Sequence, residues 1–411
     1  MKKFVTQAAL RTGLVIGSMA CALWLANIYL GIKGYEKQRF IWGWANELTA
    51  DEGYNKRIFS LDSSLIYIPN TSVYNSNDQL DAILSDNDGF RPTGEPFEGD
   101  DVKTIVTIGD SFTWGFLLQS TQTYPYFLEQ SLRQRGYKVN VKNGGVNGYG
   151  SDQQFIYLRD HLIARAKPDV VVWNINVNDI EDNNFACLFR PKKKAAEHEF
   201  EQLSAWRNTS FIQGTIARYV PAPIRNTRVG NLALYSIAPG WDRRTIGCEA
   251  KQSADLFLSD EQKKKFVFLL SEMKKLSEAH GFELVVTLMP NQFYLDPQYD
   301  NSEPWVELNL GLAELLEEHA SHFVSLSPVT AQYLTGSENV IAQRHQSSSL
   351  AQVLGVATNS ALVEQPISPE EFFINEGEDA RGHWHLQEKA NQLVANIIAD
   401  EVEKFLSRSL P

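Results

Sequence analysis

From Lys103 onward the chain alternates short β-rich apolar runs with longer amphipathic segments, and this is the pattern of an α/β domain built on a parallel sheet. The predicted strands cover 104–108, 138–141, 170–175, 283–289 and 323–326. Each is rich in apolar or β-branched residues, as a strand covered on both faces must be. The predicted helices cover 124–135, 152–166, 260–279, 304–319 and 386–407, with Gly136 and Gly281 standing where two of them end. Composition agrees with a packed body: of 411 residues 43% are hydrophobic and 21% charged, a balance that excludes a disordered or fibrous chain and is long enough to bury a full core.

Ahead of this body, residues 12–32 read TGLVIGSMACALWLANIYLGI, 21 residues without a charge. About 20 helical residues span a bilayer core, so the run is expected to be a retained membrane anchor. A cleaved signal peptide has a shorter apolar part that ends in small residues, whereas Trp24, Leu25, Ile28, Tyr29 and Leu30 carry this one onward. Lys2, Lys3 and Arg11 precede the run and Lys33, Lys37 and Arg39 follow it, so the flanking charges do not orient it. The net charge of −12 is the wrong sign for tracking nucleic-acid phosphates. Three cysteines without a C-x-x-C pair offer neither a zinc cage nor a redox motif. Cys187 and Cys248 bracket a long insertion and form a candidate disulfide; two buried free thiols are the alternative.

Three stretches break the alternation. The expected organisation is an anchor over 1–34, a membrane-proximal lead-in over 35–101, and a main domain over 102–408 with insertions at about 183–259 and 329–383. Long connections of this kind either carry function or decorate the packing, and the sequence leaves both open.

Four short blocks could carry chemistry. Gly109-Asp110-Ser111-Phe112-Thr113-Trp114-Gly115 directly follows the first predicted strand. In open α/β sheets ligands bind at the carboxyl ends of strands, so Ser111 is placed as a nucleophile would be, although Ser and Asp also cap helices routinely. Thr113 occupies the last position of a G-x-S-x-G elbow and excludes that motif. Asn143-Gly144-Gly145-Val146-Asn147-Gly148-Tyr149-Gly150 follows the second strand, where glycines let backbone N–H groups approach a ligand. Asn176-Val177-Asn178-Asp179 follows the third and offers a side-chain amide to an oxyanion. Each of these two blocks is, by itself, also an ordinary turn. His383-Trp384-His385 precedes the last helix, and no third ligand cluster accompanies it, so no metal site is expected.

Taken in order, the four blocks resemble those of the SGNH hydrolases, or GDSL-type esterases, over roughly residues 88–399. The resemblance implies a flavodoxin-like three-layer α/β sandwich with about five parallel strands, here with the N-terminal transmembrane helix and two long insertions added. It also implies Ser111 as nucleophile, His385 as base, and Ser111, Gly148 and Asn178 as oxyanion donors, with no cofactor. His385 is selected over His383 because Ala390 and Ala395 stand five and ten positions after it, as small residues do in the family. Asp88-Gly89-Phe90-Arg91 is similar to a lead-in found before the first block in bacterial members.

Two departures stand out. Asn176 replaces the glycine of G-x-N-D, and Gly382 occupies the position of the triad aspartate. Asp379 or Glu378 could supply the acid from further upstream, with Asp379 as the expected residue, or a Ser-His dyad could act alone; in a serine protease a missing orienting carboxylate costs about 10⁴ in turnover. The expected activity is hydrolysis of a short-chain O-acyl ester outside the cytoplasm by a membrane-anchored serine esterase. The alternatives are an O-acyltransferase acting on an envelope or exported polysaccharide, and an inactive scaffold of an envelope assembly. The expected partners are an acyl ester, which could be borne on a glycan, and the membrane.

Overall fold

The computed structural model describes residues 2–33, 59–71, 73–74, 83–192, 199–204, 227–230, 232–233, 258–296, 298–333, 367–373 and 385–409. The chain divides into two compact units, one of 1–56 with 206–247 and one of 57–205 with 248–411.

In the first unit, helix α1 (Lys2–Ile32) contains the apolar run, and its Arg11–Ile32 portion is long and apolar enough to cross a membrane. The Arg228 backbone N–H donates to Asn27 Oδ1 at 2.7 Å. A Cβ at Gly31 would stand 3.2 Å from Arg228 Nη1, so glycine at this position leaves room for the guanidinium to lie against the helix.

The second unit is a five-stranded parallel sheet. Its strands are β1 (Lys103–Ile108), β2 (Val139–Asn143), β3 (Val170–Ile175), β4 (Glu283–Leu288) and β5 (Phe323–Ser325). They lie in the order β2-β1-β3-β4-β5, which is the flavodoxin-like order with its switch point between β1 and β3.

Side chains alternate across each strand, and both sheet faces are buried. Ile105, Val141, Val170, Val172 and Val285 pack with Leu128 and Leu132 of α3 (Tyr124–Gln134) and with Leu393, Val394 and Ile397 of the last helix. The intervening Val106, Val171, Trp173 and Val286 are equally buried. Trp173 Nε1 donates to Gln154 of α4 (Ser151–Tyr157) at 2.8 Å, which places that helix on the opposite face. The helices α6 (Asp260–His280) and α7 (Pro304–His319) follow on. This is a three-layer sandwich.

Two elements differ from the sequence expectation. The helix expected over 152–166 is α4 followed by a π-turn at Leu158–Leu162 and a last turn at Ile163–Ala166. The wider turn keeps Tyr157, Leu158, Leu162 and Ile163 all buried, which a regular 3.6-residue repeat would not do. The last helix, α8 (Glu388–Leu406), begins at Glu388 rather than 386, because Leu386 is extended and bridges to Phe373. His385 therefore sits on an extended segment just before the helix, not within it.

The lead-in is partly built into this unit. A hairpin of Phe59–Asp62 and Ile66–Pro69 sends the Tyr67 hydroxyl to Asn147 O at 2.6 Å, and Tyr149 donates its hydroxyl to Tyr67 O.

Candidate active site

β1 runs into Gly109 and Asp110, and then into a single helical turn, α2 (Ser111–Trp114). Asp110 caps this turn: its Oδ1 accepts from Phe112 N at 3.0 Å. The helix-cap reading of the first block is thus correct for Asp110, and it leaves Ser111 at the first helical position, just past the carboxyl end of the strand.

A helix this short leaves its last carbonyls without intrahelical donors, and two buried side chains donate to them and to carbonyls just beyond the turn. Asn143 Nδ2 donates to Thr113 O at 2.9 Å. The Arg91 guanidinium, 1% exposed, donates to Trp114 O, to Gly115 O at 2.8 Å and to Leu118 O at 2.5 Å. The second block lies directly against this turn. Val146 N donates to Gly109 O at 3.0 Å, and a Cβ at Gly145 would strike the Trp114 backbone nitrogen and stand 2.7 Å from Thr113 C. Gly148 occupies the third position of a turn closed by Tyr149 N donating to Val146 O at 3.1 Å, with φ of +72°, which is where a type II turn requires glycine.

His385 reaches Ser111 from the far end of the chain. Its Nε2 stands 2.8 Å from Ser111 Oγ, across 274 residues of sequence. The ring is flanked by Phe112 at 4.7 Å and Phe116 at 5.0 Å between centroids. The segment that carries it is fastened on both sides: Gln387 N donates to Phe372 O at 2.9 Å, Asn391 Nδ2 donates to Leu386 O at 3.0 Å, and Asn391 Oδ1 accepts from Tyr124 N at 3.0 Å.

Across the switch point, Asn178 stands at the start of helix α5 (Asp179–Ala186). Its Nδ2 donates to Asp110 Oδ2 at 2.9 Å and to Asp182 Oδ2 at 3.0 Å. Asn176, at the departure from glycine, accepts from Val177 N at 2.7 Å through its own side chain. Asp179 is fully buried and accepts from Ser151 Oγ at 2.7 Å and from Gln154 Nε2 at 3.2 Å, so it braces α4 against α5.

Asp110 and Asp179 are buried and Asp182 is half-buried, and carboxyls so close together resist ionisation. Burial pushes Asp110 up to about 6 against the hydrogen bonds from Asn178 and Phe112. Burial, with Asp110 adding to it, raises Asp179 and Asp182 well above the usual carboxylate range.

The structure thus brings Ser111, His385 and Asn178 to one edge of the sheet. Asp379 and Cys248 lie outside the described residues; Cys187 is disulfide-bonded and Cys21 is a free thiol. Sequence reasoning missed Asp110 and Asp182 as partners of Asn178. The i,i+4 spacing of Asn178 and Asp182 was the available signal for one of them.

A model of the GDSL-like Lipase/Acylhydrolase family matches residues 107–345, more than half of the chain. No curated protein matches in sequence. Among solved structures, the chain is similar to the acetyl xylan esterase AlAXEase at 12% identity and a TM-score of 0.37, covering 73% of this chain and 99% of that one. It is also similar to a lipase/acylhydrolase from Enterococcus faecalis at 12% identity and a TM-score of 0.35, covering 74% and 96%. The family match begins in the first strand and takes in the nucleophile turn, the glycine block and the Asn178 block, so the chain belongs to the GDSL-like lipase/acylhydrolase family and is an ester-bond hydrolase.

Proposed function

We propose that this hydrolase is a serine esterase acting on a short-chain O-acyl ester, with Ser111 as nucleophile and His385 as general base. The observation that carries the proposal is the 2.8 Å approach of His385 Nε2 to Ser111 Oγ, the contact through which a hydroxyl is activated. Nε2 takes the hydroxyl proton as Oγ attacks the ester carbonyl carbon. The oxyanion is met by the Ser111 and Gly148 backbone N–H groups and the Asn178 amide. Collapse breaks the bond to the alkoxy oxygen, which leaves as the alcohol with the proton from His385. Water then attacks the acyl-enzyme, giving its proton to His385, and the acid departs as Ser111 recovers its hydrogen.

Asp379 is the proposed orienting acid, from its place six residues before His385 in the sequence. The apolar helix α1 is proposed as a retained anchor that keeps the body outside the cytoplasm. The packing of Arg228 on Asn27 and Gly31 supports retention, since cleavage after the apolar run would discard this contact.

The test is hydrolysis of p-nitrophenyl acetate and butyrate by the full chain in detergent, together with labelling by a serine-directed phosphonate. Ser111→Ala and His385→Ala are expected to remove turnover, and Ser111→Ala to remove labelling; Asp379→Asn is expected to cut turnover by up to about 10⁴. Wild-type protein that neither turns over nor labels at Ser111 overturns the proposal. Labelling without turnover redirects it to transfer of the acyl group onto a glycan hydroxyl.

A further inference from the structure

An asparagine that serves an oxyanion must present its nitrogen and not its oxygen. The two ends of the amide are nearly the same size, and a half-turn about the last side-chain bond exchanges them. With the oxygen forward, the side chain repels the charge it should stabilise. The groups around the amide, rather than the backbone, decide which end faces the reaction.

Around Asn178 those groups are both acceptors. Asp110 Oδ2 and Asp182 Oδ2 stand 2.9 Å and 3.0 Å from Nδ2, so turning the amide over would set its carbonyl oxygen against two carboxyl oxygens. Asn178 Oδ1 is buried without a hydrogen-bond partner among the described residues. The arrangement is therefore selected at the nitrogen. Asp110 has a second task, capping α2 through Phe112 N. Asp182 has none of that kind: among the described residues, its carboxylate accepts its hydrogen bond from Asn178. It stands one turn further along α5, with its own backbone N–H on Asn178 O at 2.9 Å, and so reaches back along one helix face.

We infer that Asp182 is a positioning residue for the esterase reaction, acting through Asn178 by holding the amide nitrogen toward the oxyanion. The inference rests on the reading of Asn178 as an oxyanion donor. When the oxyanion forms, one N–H is shared between it and a carboxyl oxygen, a three-centre bond of a common kind. Asp182 holds the nitrogen end because an ionised carboxylate offers the amide acceptors only; burial and the neighbouring Asp110 oppose that ionisation, so the hold is expected to strengthen as pH rises.

The test is a double-mutant cycle on the full chain in detergent, with kcat and KM measured on p-nitrophenyl acetate. Asp182→Asn keeps the shape but brings an NH2 group that favours the reversed amide. It is expected to lower kcat by about 10–100-fold with KM unchanged, less than the about 10²–10³ lost when one oxyanion donor is removed outright. Asp182→Glu is expected to restore most of the loss. In the Asn178→Ala background, Asp182→Asn is expected to change kcat by less than about twofold, because nothing is left to orient. An equal loss in both backgrounds, or no loss in the first, overturns the inference. Thermal melts separate lost fold from lost turnover, and Asp182→Ser takes the place of Asp182→Asn if the latter does not fold. Absence of phosphonate labelling at Ser111 in the wild type fails the esterase reading and this inference with it, whereas labelling with an unaffected Asp182→Asn fails this inference alone.

Discussion

Arg91 takes no part in bond making, yet it donates to three carbonyls of the segment after Ser111, of which Gly115 O also accepts from Leu118 N at 3.2 Å. Trp114, Gly115 and Leu118 all point their oxygens at its guanidinium, and the guanidinium lies 5.2 Å from the centroid of the Trp114 ring. A planar fork with five donors can serve several acceptors at once, and an ammonium on a flexible stem cannot hold the same geometry. Leaving a buried carbonyl unmatched costs about 1–3 kcal/mol. Arg91→Met is therefore expected to lower stability by roughly 3 kcal/mol or more, as read by urea unfolding, and Arg91→Lys is expected to recover only part of it. Arg91 was visible in the sequence as the end of Asp88-Gly89-Phe90-Arg91, but only as a segment before the first block. Its work depends on an isolated bridge to Asn143 at the end of β2, which no local pattern announces.

At the scale of elements, the order β2-β1-β3-β4-β5 makes the chain leave β1 and β3 side by side and wind in opposite directions, opening a crevice at their carboxyl ends. Ser111 follows β1 by three residues and Asn178 follows β3 by three, so the site stands in that crevice. Helices α4 and α6 close the sheet on one side and bury Asp152 and Lys265, 0% and 3% exposed. Burial raises Asp152 to about 6, with Lys265 pulling the other way, and burial lowers Lys265. An acid whose folded pKa is raised contributes stability that is present in full below its unfolded value and lost as pH rises through the folded one. For Asp152 that window runs from about 4 to about 6, and the loss amounts to as much as about 3 kcal/mol at 1.36 kcal/mol per unit. Urea unfolding at about pH 4.5 and about pH 7.5 is expected to show a smaller fall in stability for Asp152→Asn than for the wild type. An equal fall in both proteins would count against it.

The whole molecule joins an ester hydrolase to a helix of membrane-spanning length. Residues 206–247 fall between β3 and β4 in the chain and group with the N-terminal residues rather than with the second unit, and among the described residues Arg228 meets α1. The expected behaviour is that the full chain sediments with membranes and resists extraction by high salt, while a chain lacking residues 1–33 stays in the supernatant. In a Cys21→Ala chain, Asn27→Cys paired with Arg228→Cys is expected to form an internal disulfide on mild oxidation, since the backbone of one already meets the side chain of the other. A mature N-terminus beyond residue 32 would show that the helix is cleaved.

The parallel sheet could be read from the residues alone, because strands buried on both faces must be apolar throughout and the helices between them must not be. Val170–Ile175 and Pro304–His319 fall where the pattern puts them. Ser111, Gly148, Asn178 and His385 could be picked out through the resemblance of their four blocks to a known family, since each block by itself is also an ordinary turn or helix cap. Tertiary structure alone decided that His385 Nε2 meets Ser111 Oγ across 274 residues, that Asp110 and Asp182 close on one amide nitrogen, and that Arg91 secures the nucleophile turn. The physical reason is one of range. Periodicity and turn chemistry act over a few residues and leave a mark in the sequence, whereas a hydrogen bond between distant side chains is fixed only once the sheet order has brought their strands together.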